Sequence, residues 1–495
     1  MTTHAPTSEQ AYPEKIDGAV LRIAGVVVLG AIMSILDITV VSVALPTFQE
    51  AFGATYATVA WTMTAYTLAL ATVIPLTGWA ADRFGTKRLY LAALFLFTAG
   101  SVLCAMATSI ELLIAFRVVQ GLGGGMLMPL GMTILTRAAG PDRIGRLMAI
   151  LGIPMLLGPI TGPILGGWLI DIASWHWIFL INLPIGIAAL AYALWVLPAD
   201  EPSESESFDF LGMLLLSPGL ALFLFGVSSI AEGGEGASFG PRVWVSAAIG
   251  VLLILAFVRH ALRTEKPLID LRLFTNRRLT IATVAMFVFV IAFMGAGLLF
   301  PSYFLTVRGE TTLMAGLLIA PQGLGAMVTM PIAGVLADRV PIGRTVPVAL
   351  LVMAAGFFVF TQVGADTSYV VLCGALFVMG LGMGGTMMPI MTSALKSLTH
   401  QQVARGSTLV NIVQQIGGSI GTAVLSVVLT NQLTSTPSGP VDPLEFVADG
   451  FGTTFTVAFV LVLLALIPVA FLPRRREPSQ LLDDVDGPAA PVLVH

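Results

Sequence analysis

The chain has 495 residues, 56% of them hydrophobic and only 11% charged, against about 25% charged in a soluble domain. Twenty-four Lys and Arg against 28 Asp and Glu leave a net charge of −4, which excludes the basic excess that a nucleic-acid binder uses to neutralise phosphates. Cys104 and Cys373 both lie in apolar stretches, so neither a disulfide framework nor a Cys-based metal site has ligands to build from.

The apolar residues gather into about fourteen runs of roughly twenty or more, the length an α-helix needs to cross ~30 Å of hydrocarbon. They fall near 20–45, 57–81, 88–107, 110–137, 144–170, 177–197, 211–231, 241–261, 280–305, 312–337, 344–363, 368–395, 402–430 and 452–472. The polar stretch to Asp17 has no basic, apolar and small-residue cleavage pattern, so the first run reads as a membrane anchor and not as a signal peptide. Short cytoplasmic loops collect Lys and Arg. With the N-terminus inside, 21 of the 24 basic residues fall on inner segments, Arg242 and Arg308 fall outside, and Arg117 remains within a helix. An even number of spans with both termini cytoplasmic is therefore expected. The acidic inner loop 198–210 runs against the rule locally, but acidic residues contribute little to orientation.

In the first helix Asp37 stands alone in an apolar run, where an ionised carboxylate costs about 2.5–3.5 kcal/mol even on a forgiving insertion scale. Arg117 in the fourth helix is its expected partner. Counted from the outer ends of the two runs at 1.5 Å per residue, both lie about 11–12 Å deep. Burial favours the neutral acid and a neighbouring Arg favours the carboxylate. A balance between them lets the group load and release a proton near neutral pH; the alternative is a static ion pair that fixes packing.

Between helices two and three, Gly78, Asp82, Arg83, Gly85 and Lys87 form a compact inner loop. Its glycines permit a tight turn, and Asp82 is placed to accept from free N–H groups at a helix start or to meet basic side chains. The expected role is a conformational latch. Helix five carries Gly158, Gly162 and Gly166 four apart, with Gly167, Pro159 and Pro163. This pattern makes a smooth face for close helix approach and a bend or hinge. Helix thirteen presents Asn411, Gln414 and Gln415 on one face, wasteful toward lipid and suited to an interhelical contact or a cavity. Together with Tyr66, Met126 and Gln322, these are the candidate substrate-lining residues.

The chain also repeats itself. Gly78-Trp79-Ala80-Ala81-Asp82-Arg83 recurs as Gly334-Val335-Leu336-Ala337-Asp338-Arg339, and Gly121-Leu122-Gly123 through Pro129 recurs as Gly380-Leu381-Gly382 through Pro389. The expected organisation is an N-terminal tail (1–19), a six-helix bundle (20–197), an acidic loop (198–210), two extra central helices (211–261), a basic linker (262–279), a second six-helix bundle (280–472) and a C-terminal tail (473–495). Two pseudo-symmetric halves suit a transporter that rocks about a site near the membrane midplane. Gly417-Gly418-Ser419-Ile420-Gly421 formally matches a nucleophile elbow but lies mid-helix, without the strand-to-helix turn that chemistry needs. The five histidines lack metal-ligand spacing and no P-loop occurs, so no enzyme activity, metal, cofactor or ATP is expected.

Together these residues resemble the major facilitator superfamily, specifically its fourteen-helix drug:proton antiporter branch. Leu36 to Pro46 looks like that branch's first-helix signature, with Ser42 where Asn is usual. Gly78 to Arg88 resembles the superfamily loop motif, with Thr86 for a usual Arg, and Arg117 to Gly121 resembles the fourth-helix motif. Gly158 to Gly167 looks like the helix-five antiporter motif. Trp175-His176-Trp177 through Asn182, Pro184 and Gly186 also fits, with His176 where Arg is common. The resemblance implies an all-α integral membrane protein of fourteen spans. It would act as a monomeric plasma-membrane antiporter that exports amphipathic, hydrophobic or cationic drugs against an inward proton flow. Its partners would be a small amphipathic substrate, protons and membrane lipid. Export of a lipid or dedicated metabolite, and a non-transporting receptor or scaffold of the same fold, are the alternatives.

Overall fold

The computed structural model describes residues 17–139, 143–200, 208–231, 241–399, 402–434 and 442–474. The parts of the expected tails, acidic loop and loops beyond these ranges lie outside the described residues, as do the side chains of Pro159, Pro163 and Asp338. The described residues are helical apart from short connections. In chain order the helices are α1 (Gly18–Phe52), α2 (Tyr56–Phe84), α3 (Thr86–Ala105), α4 (Ile110–Ala139), α5 (Ile144–Ile172), α6 (Trp177–Leu180), α7 (Asn182–Val196), α8 (Phe210–Ala231) and α9 (Pro241–Arg263). After a 3-10 turn at Leu271–Thr275 follow α10 (Arg277–Thr306), α11 (Thr312–Arg339), α12 (Ile342–Phe360), α13 (Tyr369–Gly384), α14 (Met387–Lys396), α15 (Val403–Thr434) and α16 (Pro443–Val469).

Thirteen segments among the described residues are long and apolar enough to cross a membrane, α6 with α7 and α13 with α14 each counting as one. The remaining predicted run, 144–170, is the 29-residue helix α5. Two single predicted spans are thus broken, at Ile181 and at Gly385–Thr386. The first helix is also longer than its apolar run. Pro46 does not end it, because α1 continues to Phe52, where Phe48 and Phe52 pack on Trp175.

The halves repeat one packing scheme. In the first, α1 lies on α5 and α7, and α4 is wedged between α2 and α3. In the second, α10 lies on α15 and α16, and α13 is wedged between α11 and α12. The repeated glycines make both wedges. A Cβ at Gly121 would lie 2.5 Å from the Tyr66 carbonyl oxygen, and one at Gly125 2.6 Å from that of Leu70, both on α2. In the second half Gly380 and Gly384 abut α11 at Gln322 and Ala326 in the same way, while Gly382 abuts α12 at Ala349 and Met353. Cross-half contacts are symmetric too, with α5 on α11 and α2 on α15.

The two extra helices pair with each other and cover the α2–α15 seam. Leu216, Leu220 and Phe257 cluster there with Ile74 of α2 and Leu409 and Ile412 of α15, and the Ser217 hydroxyl donates to the Thr72 carbonyl at 2.7 Å. At the end of the molecule rich in Arg and Lys, Asp209 fixes the connections. It pairs with His260 Nε2 at 2.7 Å and accepts from the Gly212 and Leu268 amides at 2.8 and 3.0 Å.

At the same basic end α3 and α7 cap each other. Asp200, just past α7, accepts from the amides of Lys87 and Arg88 at 2.8 and 2.9 Å. Lys87 Nζ donates in return to the carbonyls of Leu194 and Leu197 at 3.0 and 2.6 Å. Acid meets a helix start and base a helix end, each favoured by the helix dipole. The free N–H groups expected to meet Asp82 are thus served by Asp200. Gly85, at φ +89°, has no room for a Cβ beside Asp200. Replacing Asp200 with Ala removes an N-terminal cap, with an expected loss of about 1 kcal/mol. A thermal unfolding curve of the detergent-solubilised variant against the parent checks this.

Candidate functional site

Asp37 and Arg117 meet, as their matched depth predicts. They form a buried ion pair through Arg117 Nη1 and Asp37 Oδ2, with residue exposures of 0% for Arg117 and 2% for Asp37. The match lies in the apolar runs and not in the helices, since Asp37 stands 15 residues before the end of α1 and Arg117 seven after the start of α4. The count succeeds from the apolar runs because hydrocarbon length governs where the apolar residues stop, while the helix itself continues.

The pair belongs to a larger buried network. Arg117 Nε donates to the Thr62 carbonyl at 3.0 Å, and Nη1 also donates to Gln120 Oε1 at 2.8 Å. Gln120 Nε2 donates to Asp37 Oδ1 at 2.7 Å. The guanidinium lies over the Tyr66 ring, 4.1 Å from its centroid, a cation–π contact strengthened by desolvation. The Tyr66 hydroxyl is 3.2 Å from Ser34 Oγ. From α7, Asn182 Nδ2 approaches Asp37 Oδ1 at 3.4 Å and donates to Ser101 Oγ at 3.0 Å. Every buried charge and lone pair of this kind needs a partner, and five helices supply them here.

Gln120 and Asn182 are the functional neighbours that motif reading left without a role at Asp37. Gln120 could have been found, since it stands three residues after Arg117 and shares its helix face. Asn182 carries only the weaker signal of an amide in an apolar segment. Nothing in the sequence marks the Thr62 carbonyl or Ser101, which join through tertiary packing.

The helix-five glycines grip the same part of α1. Gly158 and Gly162 leave no space for a Cβ against Ile35 and Thr39, and at Gly166 a Cβ would make a tight 3.2 Å contact with Val40. The Thr39 hydroxyl donates to the Gly158 carbonyl at 3.1 Å. Gly167 has open space around it and is not part of this seam. The contacts of α5 on α1 thus bracket Asp37 on both sides.

The expected latch residues do not form a loop, since Gly78, Asp82 and Arg83 belong to α2, Lys87 to α3 and only Gly85 lies between them, and they divide by location. Asp82 stands between Arg137 of α4 at 3.5 Å and Arg405 of α15 at 3.6 Å, so it bridges the two halves. Gly78 allows α2 to approach α15, where a Cβ would lie 3.3 Å from Arg405 Cα. Gly85 and Lys87 act within the first half, at the mutual cap of α3 and α7. Arg83 is exposed. Substituting Asp82 by Asn removes the charge from both bridges. At about 0.2–1 kcal/mol per partly exposed pair, loss of both is expected to shift the balance between open and closed basic ends about two- to thirtyfold. Spin-label distances between the basic ends of α2 and α15 in the parent and variant measure it.

The candidate substrate residues are dispersed. Tyr66 is fully buried beneath Arg117, and Met126 is partly buried against the core. Gln322, 9% exposed, lies at the α11–α13 seam. Asn411 serves the junction of the halves, its amide donating to the Ser407 carbonyl at 2.8 Å and meeting Met132 Sδ of α4 at 3.3 Å. Nearby, Thr133 of α4 and Ser407 of α15 share a hydroxyl hydrogen bond of 2.9 Å. Gln414 and Gln415 are half-buried on α15, and Gln414 Nε2 has no hydrogen-bond partner among the described residues. These junction contacts lie toward the basic end of α2, α4 and α15, where the halves are closed against each other. No group of three or more metal-ligating side chains occurs among the described residues.

Comparison with known proteins agrees with this architecture. The chain is 49% identical over 504 residues to the "Multidrug resistance protein B homolog" of Mycobacterium tuberculosis, covering 95% of this chain and 93% of that protein. It is 31% identical over 430 residues to the "Multidrug export protein EmrB" of Haemophilus influenzae, covering 86% and 83%. Among solved structures, the fold resembles the human organic anion transporter MFSD10 (TM-score 0.61, 18% identity, 90% of this chain and 99% of that one). It also resembles the proton:xylose symporter XylE (TM-score 0.61, 14% identity, 93% and 97%). The family profile described as Major Facilitator Superfamily matches residues 27–422. The chain is a multi-pass membrane transporter and belongs to the Major Facilitator Superfamily.

Proposed function

We propose that this protein is a proton-coupled antiporter that exports amphipathic, hydrophobic or cationic drugs across the plasma membrane by alternating access. The observation that carries the reading is the buried Asp37–Arg117 pair, a carboxylate sealed from water inside a bundle whose relatives are named for multidrug resistance and export. An intramembrane acid that only fixed packing would be an expensive choice. One that exchanges a proton when the bundle opens repays its burial by coupling the proton gradient to drug movement. No cofactor enters this scheme; the gradient supplies the energy.

The groups present support this coupling. Counted with the thirteen apolar segments, α5 makes a fourteenth crossing in this reading, which puts both termini on one side; the Lys and Arg gathered at that end support the cytoplasmic side. The conformation described is then closed to the cytoplasm, with Asp82 and Gly78 at the closed seam. Opening to the outside brings water to Asp37, which takes up one proton. The neutral acid no longer holds Arg117 as tightly, the seam loosens, and the halves rock. Facing inward, Asp37 gives its proton to the cytoplasm as drug is taken up. The α5 glycines, seated on the turns around Asp37, link protonation to helix movement.

Everted membrane vesicles test the reading. With the lumen made acidic, vesicles holding the protein should accumulate the lipophilic cation ethidium. They should also release protons from the lumen upon its addition, and a protonophore should abolish both. Ethidium accumulation that persists unchanged after collapse of the gradient would overturn proton coupling.

A further inference from the structure

We propose that Asn182 and Ser101 form a positioning pair that sets the proton affinity of Asp37, with Ser101 holding the Asn182 amide so that only its NH2 group can face the carboxylate. The inference rests on the reading of Asp37 as the proton-exchanging group and adds residues to that site. Ser101 Oγ donates to the Phe179 carbonyl at 2.9 Å, and a serine has a single proton to give. Toward Asn182, 3.0 Å away, it can therefore only accept. That requirement orients the Asn182 amide, placing its nitrogen 3.4 Å from Asp37 Oδ1.

Asp37 Oδ1 is thus faced by two amide donors, Gln120 from α4 and Asn182 from α7, while Oδ2 is faced by Arg117. Among the described residues, the charged or titratable groups around it are Arg117 from α4, Tyr66 from α2 and Cys104 from α3. From α5 come Gly158 and Gly162, packed on the neighbouring turns. Both carboxylate oxygens are thus already engaged as acceptors. Loading a proton forms one O–H bond on Asp37 and turns an acceptor into a donor, which would then point at an NH2 group. Protonation at Oδ1 therefore requires both amides, that of Gln120 and that of Asn182, to give way. Asn182 and Ser101 lie on α7 and α3, outside the α1–α4 contact that carries the ion pair, so they can adjust proton affinity without making or breaking that pair. Their strict spatial dependence, three residues brought together from positions 37, 101 and 182, is what gives the segment from Trp175 to Gly186 a role in coupling.

The test is a pH titration by infrared difference spectroscopy of the purified full-length protein in liposomes, which needs no substrate. The carbonyl band of protonated Asp37 is identified by its loss in Asp37→Asn. Asn182→Ala and Ser101→Ala are expected to move the midpoint of that band upward by about half to one pH unit. Ser101→Thr, which keeps the hydroxyl, should leave it in place. The double variant Asn182→Ala with Ser101→Ala should shift no further than Asn182→Ala alone, because both act through one amide. An unchanged midpoint in Asn182→Ala, with the Asp37 band present, overturns the proposal and leaves the antiport reading standing. Absence at every pH of a band that Asp37→Asn removes would overturn both. Variants that unfold show loss of the helical amide I band, and Asn182→Ser, smaller and still a donor, then supplies the comparison: a midpoint at or near the parent's supports the proposal, and one equal to that of Asp37 in protein lacking any α7 donor, as in Asn182→Val, overturns it.

Discussion

Replacing Asp37 with Asn is expected to reduce gradient-driven ethidium accumulation in everted vesicles to the level of vesicles without the protein, while leaving the protein inserted and folded. Asn matches the carboxylate in shape but cannot exchange a proton in this pH range. The amide also suits its surroundings poorly. Gln120 and Asn182 point donors at Oδ1, and Arg117 points one at Oδ2. In either orientation the new NH2 group faces a donor. Turning Gln120 to accept would move its own NH2 toward Arg117, so the conflict is relocated and not removed. An unsatisfied buried polar group costs about 1–3 kcal/mol, a loss a protein of ordinary stability survives. Arg117 keeps the Thr62 carbonyl and the Tyr66 ring as partners. Downhill equilibration of ethidium without a gradient should persist, because the halves can still rock. Full gradient-driven accumulation by this variant would sink the assignment of Asp37.

Arg117→Ala is expected to have the larger effect on stability. It leaves the Asp37 carboxylate buried without its cation, takes a donor from Gln120 Oε1, which keeps only Cys104 Sγ at 3.5 Å, and from the Thr62 carbonyl, and opens a void above Tyr66. Removing one partner of a buried pair typically costs about 3–5 kcal/mol, and most of the protein should be lost from the monodisperse peak in size-exclusion chromatography after detergent extraction. Arg117→Lys should recover folding only in part. A single ammonium cannot present the planar fork that reaches Asp37, Gln120 and the Thr62 carbonyl together. Replacing both partners by apolar residues, Asp37→Leu with Arg117→Met, should restore much of the stability, since the desolvation of both charges is no longer incurred. It should restore none of the gradient-driven export. A double variant as unstable as Arg117→Ala would show that the neighbours, and not the unpaired charge, dominate the cost.

These two substitutions separate what is stabilising from what is coupling, and the sequence anticipated the pair they probe. A carboxylate and a guanidinium in apolar runs at equal depth are conspicuous because hydrocarbon penalises each alone. The repeated glycines were legible for a similar reason. Helices can approach closely only over small residues, so Gly121 with Gly125 and Gly380 with Gly384 carry the same wedge in both halves. The loop motif was legible only as a unit. Asp82 and Lys87 lie five residues apart, yet Asp82 turns toward Arg137 and Arg405 whereas Lys87 turns to the end of α7. Their different partners depend on which helix ends converge there.

By itself, then, the sequence determined that this chain spans a membrane as pseudo-symmetric helical halves, and which two buried charges must answer to each other. Length, apolarity and the cost of charge in hydrocarbon act locally and leave a mark at each position. Only the tertiary structure decided that Asp200 and not Asp82 caps α3, that Asn411 belongs to the junction of the halves, and that Gln120, Asn182 and Ser101 complete the Asp37 network. A hydrogen bond is set by a few ångströms between residues that are scores of positions apart. No periodicity or composition records that convergence until the helices have packed.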